Sequence, residues 1–184
     1  MAVKSFAAIV IGSVETELKI FELSPRKGIR ELDCIRARIN LGMDAYNSGI
    51  LDVAKVKELC AVLKEFKTIT EGYKVDGLRV CATSAMREIR SSQITKDHIE
   101  KQTGLKIEIL SNSEQRFLDF KSIASESDSF ERIIQNGTAI VDIGGSSIQI
   151  SVFDKGRLIT TQNIRMGKVS TRQKFYPMAK NNEH

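Results

Sequence analysis

The stretch Ala8-Ile9-Val10-Ile11-Gly12-Ser13 decides the fold, because a second stretch, Ile140-Val141-Asp142-Ile143-Gly144-Gly145, repeats its plan. Each is an apolar run of strand character ending in small residues, and each is followed by a second strand-like segment. Glu17 to Leu23 follows the first copy, with Leu18, Ile20 and Phe21 as its inward side chains. Ile148 to Phe153 follows the second, after Gly144-Gly145-Ser146-Ser147. Two similar hairpins far apart in one chain predict a duplicated fold with a cleft between the copies and a glycine turn on each side of it. A glycine turn lets backbone N–H groups approach an anion without a Cβ in the way, and Ser13, Ser146 and Ser147 add hydroxyl donors. The alternative for either turn alone is a plain hairpin connection.

Working outward, the first run (residues 6–11) reads as a strand buried on both faces. Ile35, Ala37, Ile39 and Leu41 alternate with polar residues in a third strand, and the Gly-containing residues 42–50 read as a loop. Val53, Val56, Cys60, Leu63 and Phe66 recur at helical spacing, predicting a long helix over residues 52–73 with Asp52 as N-cap. Residues 78–82 form a short strand, followed by a helical turn. A helix over 95–103 ends at Gly104, and 106–110 is another strand. Ser111 and Glu114 have capping-box spacing and open a helix with Phe117, Phe120 and Ala124 inward. A strand meander over 138–164 follows, with a further helix from about Lys168. The fold class is thus α/β: a lobe over residues 1–126 with a mixed five-stranded sheet and helices, a linker at 127–137, and an incomplete second lobe at 138–184.

Composition agrees with a globular protein: of 184 residues 41% are hydrophobic and 28% charged, and the net charge is +5. No apolar run reaches the ~18 residues of a membrane span, and the first residues lack the plan of a secretory signal. Cys34, Cys60 and Cys81, with His98, lack the spacing of a zinc site, so a reduced, cytoplasmic protein is expected. The charge is uneven. Residues 155–184 hold seven Lys or Arg against Glu183 alone, a segment that would attract a polyanion unless it is simply a solvated face. Zinc-finger spacing and exposed aromatic strands are lacking, which argues against sequence-specific nucleic-acid recognition.

Several segments resemble one family. Ala82-Thr83-Ser84-Ala85-Met86-Arg87-Glu88 is similar to the ATSA-x-RE motif of the exopolyphosphatase and guanosine pentaphosphate phosphohydrolase family. Ile11-Gly12-Ser13, Leu41-Gly42, Ile107 to Glu114, Asp142 to Ser147 and Met166-Gly167-Lys168-Val169 resemble the family's other motifs, in its order. The resemblance implies the two-lobed, ribonuclease H-like fold of the actin, sugar-kinase and heat-shock-protein superfamily. It implies Mg²⁺-assisted removal of terminal phosphate from polyphosphate or guanosine pentaphosphate. It makes Gly12, Ser13, Gly144, Gly145, Ser146 and Ser147 a phosphate cradle, Arg87 a phosphate grip and Asp142 a metal ligand.

The chain departs from the family where acid is expected. Val10, Gln115 and Gln149 occupy three carboxylate positions, and Gln115 stands where the family has its base. A Gln amide orients water but takes up no proton near neutral pH. Loss of a general base costs about 10²- to 10⁴-fold in rate. Phosphate binding with impaired hydrolysis is therefore the first reading. The second is an active hydrolase with Glu114 as base, although Glu114 also suits a helix-capping role. The third is an interaction module using strand edges and the basic carboxy-terminal segment. A homodimer is compatible with all three.

Overall fold

The computed structural model describes residues 3–126, 130–145, 147–164 and 166–167. The chain divides into two compact units, Met1–Ile109 and Leu110–His184.

The first unit is built on strands β1 (Lys4–Ile11), β2 (Glu15–Ser24) and β3 (Gly28–Arg38), helices α1 (Leu41–Asn47) and α2 (Val53–Gly72), strand β4 (Gly77–Ala82), helices α3 (Ser84–Glu88) and α4 (Ser92–Thr103), and the short strand β5 (Glu108–Ile109). The sheet order is β3-β2-β1-β4-β5, antiparallel from β3 to β1 and parallel from β1 to β5, so it is the mixed five-stranded sheet expected. Ala7, Ile9 and Ile11 of β1 and Leu18 and Ile20 of β2 are fully buried together with Leu59, Leu63 and Phe66 of α2. These side chains share one sheet face because alternate residues of a strand point the same way. The other face is less covered than an apolar run suggests: Val10 is 39% exposed.

Helix α2 begins where Asp52 predicts, with its carboxylate accepting the Ala54 N–H at 2.6 Å. Gly104, with φ of +69°, ends α4 in the left-handed region that glycine adopts without strain. One expectation fails here. Residues 41–47 form helix α1 and not a loop, because Leu41, Gly42 and Ala45 are buried and the Gly42 N–H donates to the Ser13 carbonyl at 2.7 Å. Tertiary packing fixes a helix that polar, Gly-containing sequence does not announce.

The second unit holds helices α5 (Asn112–Glu126) and α6 (Phe130–Ile133) and strands β6 (Thr138–Ile143), β7 (Ile148–Asp154) and β8 (Arg157–Ile164), the expected antiparallel meander β6-β7-β8. The compact units divide at Leu110, whereas the sequence reading sets its linker at residues 127–137. Helix α5 belongs with the later strands because its Phe120 ring packs edge-on against Phe153 of β7 at 5.1 Å, with Phe130 of α6 on the same ring at 6.5 Å. The capping box forms as predicted: Ser111 N–H donates to Glu114 Oε2 at 2.8 Å, and Glu114 N–H to Ser111 Oγ at 3.2 Å. The inward face of α5 differs from expectation. Phe117 is 59% exposed, Ala124 is exposed, and polar atoms of Asn112, Gln115, Arg116 and Asp119 are the buried ones. The helix expected from about Lys168 lies outside the described residues. No helix among the described residues is long and apolar enough to cross a membrane.

Candidate functional site

The repeated stretches make the same turn. In the first unit Ile11 pairs with Thr16, and in the second Ile143 pairs with Ile148, so four residues lie between these paired positions in each hairpin. Gly12 N–H donates to the Glu15 carbonyl at 3.0 Å, and Gly144 N–H donates to the Ser147 carbonyl at 2.9 Å. The glycine of each turn thus spends its amide on closing the turn. Donors for an anion are left to the residues that follow, Ser13 and Val14 in one turn and Gly145 in the other.

The two turns differ in tightness. A Cβ on Gly12 would stand 2.7 Å from the Glu15 carbonyl oxygen, a backbone clash, whereas one on Gly144 would stand 3.3 Å from that of Ser147. The first turn is also enclosed by its unit. Val14 carbonyl accepts from Ile39 and Asn40, Thr83 N–H reaches the Ile11 carbonyl at 3.0 Å, and a Cβ on Gly42 would stand 2.9 Å from the Ser13 Cβ. Three of the motif segments, around Gly12, Gly42 and Thr83, therefore meet at one end of β1.

Ser13 is buried there and shares a hydrogen bond with Tyr46 of α1 and another, at 2.9 Å, with Ser84 of α3; Tyr46 and Ser84 close the triangle at 3.0 Å. Tyr46 is a site residue that the sequence reading missed, since residues 42–50 read as a loop. Leu41 and Ala45, at helical spacing, were the available signal. Arg87 closes α3 half-buried, and burial lowers its pKa, opposed by the charges of Glu88 and Tyr46. That is a guanidinium kept close to protein, with the geometry to meet two oxygens of one phosphate.

In the second unit Asp142 of β6 lies directly opposite Gln149 of β7, so their side chains share a sheet face. Gln149 is 3% exposed, and its Oε1 is buried with no hydrogen-bond partner among the described residues. Gln115 of α5 has an Oε1 in the same condition. Asp119, one helical turn on from Gln115, was not singled out by the sequence. Burial, with the charge of Asp142 added, pushes its pKa up to about 6, against the lowering effect of Arg116. Ser147 is buried, Gly145 is half-buried, and Ser146 lies outside the described residues. Glu114 is exposed, with its carboxylate on the Ser111 amide. Among the described residues no three His, Cys, Asp or Glu side chains group as a metal cluster. A hard cation prefers oxygen ligands, carboxylates and amide carbonyls included, so Asp142 and Gln149 fit Mg²⁺ chemically and Val10 does not.

The structure resembles an exopolyphosphatase from Cytophaga hutchinsonii (TM-score 0.79, 18% identity, covering 94% of this chain and 54% of that one). It also resembles the Ppx/GppA family member of Aquifex aeolicus (TM-score 0.76, 20% identity, 95% of this chain and 55% of that one). These likenesses carry the fold: an actin-type lobe followed by the beginning of a similar one. In sequence, the chain is 23% identical over 140 residues to a bifunctional 3-dehydroquinate synthase/phosphatase of Fusobacterium nucleatum, covering 75% of this chain and 21% of that protein. The chain spans about half the length of the solved relatives and about a fifth of the bifunctional one. The profile of the Ppx/GppA phosphatase family matches residues 22–183, nearly the whole chain, and the chain belongs to that family.

Proposed function

We propose that this chain binds a phosphate chain, polyphosphate or a guanosine polyphosphate such as guanosine penta- or tetraphosphate, and that its hydrolysis is weak or lost. The observation that carries this reading is the shared turn. Two hairpins of one plan, each closed by a glycine amide on the carbonyl three residues later, leave the amides that follow to a phosphate oxygen. Ser146 and Ser147 would add hydroxyls, the Ser13 hydroxyl being engaged with Tyr46 and Ser84, Gly145 would add a backbone amide free of Cβ crowding, and Arg87 two parallel donors for phosphate oxygens.

Weak hydrolysis follows from the side chains at the acid positions. Gln115 orients water without taking its proton, and Val10 offers no oxygen at all. Mg²⁺, when bound, supplies positive charge against the anhydride oxygens. Asp142 would hold it, as a weakened site. The reading with Glu114 as base has less support, because that carboxylate already accepts the Ser111 amide. The interaction-module reading draws on the basic segment, of which Arg165 and residues 168–184 lie outside the described residues. A cytoplasmic location suits a phosphate-chain ligand, and a homodimer is the simplest larger assembly.

Calorimetric titration with polyphosphate and with guanosine tetraphosphate tests the proposal. Heat is expected with at least one, weakened more by Gly144→Val than by neutralising the basic residues of 155–184. If binding falls steeply with salt and follows the tail charges, the interaction module is favoured. Absence of heat with both ligands, from folded protein, rejects the cleft reading.

A further inference from the structure

Three hydroxyls meet beside the first turn, and their protons can be counted. Ser13 bonds Tyr46 of α1, Ser13 bonds Ser84 of α3 at 2.9 Å, and Tyr46 bonds Ser84 at 3.0 Å, a closed ring. A hydroxyl has one proton to donate and two lone pairs with which to accept. Three bonds among three hydroxyls therefore take all three protons, each oxygen donating once and accepting once. What the ring has left to offer is lone pairs. A phosphate oxygen is itself an acceptor, so it gains nothing from the Ser13 hydroxyl while the ring is closed.

The ring is also held from outside. The Asn40 and Gly42 N–H groups donate to the Val14 and Ser13 carbonyls at 2.8 and 2.7 Å, which ties the start of α1 to the turn. Tyr46 lies one helical turn beyond Gly42 and packs against it. A Cβ on Gly42 would stand 2.8 Å from Tyr46 Cε2 and 2.9 Å from Ser13 Cβ. Glycine at 42 thus lets the Tyr46 ring close on Ser13, and the α1 backbone sets where that ring lies. Ser13 and Ser84 are buried, so water has little access to open the ring.

We propose that Tyr46 sets the phosphate affinity of the first turn by withholding the Ser13 hydroxyl proton. Without the Tyr46 oxygen, Ser13 and Ser84 hold two protons and one bond between them. Ser84 then donates to Ser13, and the Ser13 proton turns to an anion at the Ser13 and Val14 amides. Tyr46 is a positioning residue: it acts through Ser13 and touches no ligand itself. The predicted gain rests on the proposed phosphate binding at this turn.

The full chain is titrated calorimetrically with inorganic tripolyphosphate, without metal, as parent and as Tyr46→Phe. Affinity should rise about tenfold in Tyr46→Phe, the scale of one hydrogen bond to a charged acceptor. Adding Ser13→Ala to Tyr46→Phe should return it to the parent value. Tyr73→Phe loses a hydroxyl bonded to Asp33 at 2.9 Å, far from α1 in sequence, and should leave affinity unchanged. Cooperative melting checks the fold of each variant. If Tyr46→Phe does not melt cooperatively, Ser84→Ala takes its place: Tyr46 then donates to Ser13, whose proton is again released, and the same gain is expected. Tighter binding separates this role from a merely structural one, since a loosened turn would bind more weakly. Equal or weaker binding by the folded variant, or a gain that survives Ser13→Ala, overturns the inference. Heat from the parent with no gain in the variant rejects the inference alone. Heat from the variant and none from the parent rejects phosphate binding by the parent alone, and no heat from either rejects both.

Discussion

The two hairpins have one design and opposite surroundings. In the first unit three hydroxyls next to the turn bond one another, Ser13, Tyr46 and Ser84 in a closed triangle, although Thr16 Oγ1 is buried there without a partner among the described residues. In the second unit one oxygen each of Gln115, Asp119 and Gln149 is buried without a hydrogen-bond partner among the described residues. A site whose hydrogen bonds are complete is rigid and needs nothing further. One with orphaned oxygens gains from a ligand that supplies positive charge or donors. The difference is one of degree: the hydroxyls at the first turn hold one another in place, and more of the buried polar atoms of the second unit are left to a partner outside the described residues.

The comparison breaks most visibly if acid is restored. Val10→Asp, Gln115→Glu and Gln149→Glu together should produce Mg²⁺-dependent phosphate release from polyphosphate at least about 10²-fold above the parent chain, the scale of general-base help. Release unchanged in a folded, polyphosphate-binding variant would deny that these positions set the activity.

Next in size is the effect of a methyl group in each turn. Gly12→Ala drives its Cβ against a backbone oxygen and should cost about 1–3 kcal/mol in denaturant unfolding, while Gly144→Ala should cost less than about 1 kcal/mol. Equal costs would show that the turns are equally enclosed.

Replacing one polar side chain in each unit should have opposite signs. Ser13→Ala removes two hydrogen bonds and should destabilise by about 1 kcal/mol, since Tyr46 and Ser84 keep their mutual bond. Gln149→Leu removes a buried, unpartnered oxygen and should be neutral or stabilising without metal. A cost for Gln149→Leu as large as that for Ser13→Ala would mean that its amide is already satisfied.

The smallest effect is in pH dependence, again of opposite sign. The fold holds the pKa of Asp119 above its ordinary value of 3.8, at about 6, so it favours the protonated form. Its contribution is present in full below 3.8 and lost as pH rises through about 6. Burial alone would raise Asp44 of α1, but Lys55, 2.8 Å away, and the Asp52 amide outweigh it and hold its pKa below 3.8. That contribution is present above 3.8 and lost as the medium becomes more acidic. Asp119→Asn should flatten the stability curve only between pH 3.8 and about 6, and Asp44→Asn only on the acid side of it. Interchanged windows would contradict both assignments.

Much of the first unit was legible because its signals are local. Alternation in β2, the Asp52 cap and the Gly104 stop each act within a few residues, as does the Ser111–Glu114 box that opens the second unit. Helix α1 was not legible, since its stability comes from Gly42 fitting against Ser13, a contact between distant parts of the chain. The inner face of α5 was misread for a related reason. Hydrophobic spacing nominates Phe117, but Phe120 on Phe153 fixes the rotation of the helix, and that turns Gln115 and Asp119 inward. That Val10, Gln115 and Gln149 stand where the family has carboxylates was readable only by resemblance, because nothing local marks a missing carboxylate.

The central claim is that the glycine turns bind phosphate, and amide NMR during a polyphosphate titration tests it most directly. The account predicts saturable shifts at the amides that follow the turn glycines, those of Ser13 and Val14 and that of Gly145. Shifts confined to the basic residues of 155–184 would contradict it.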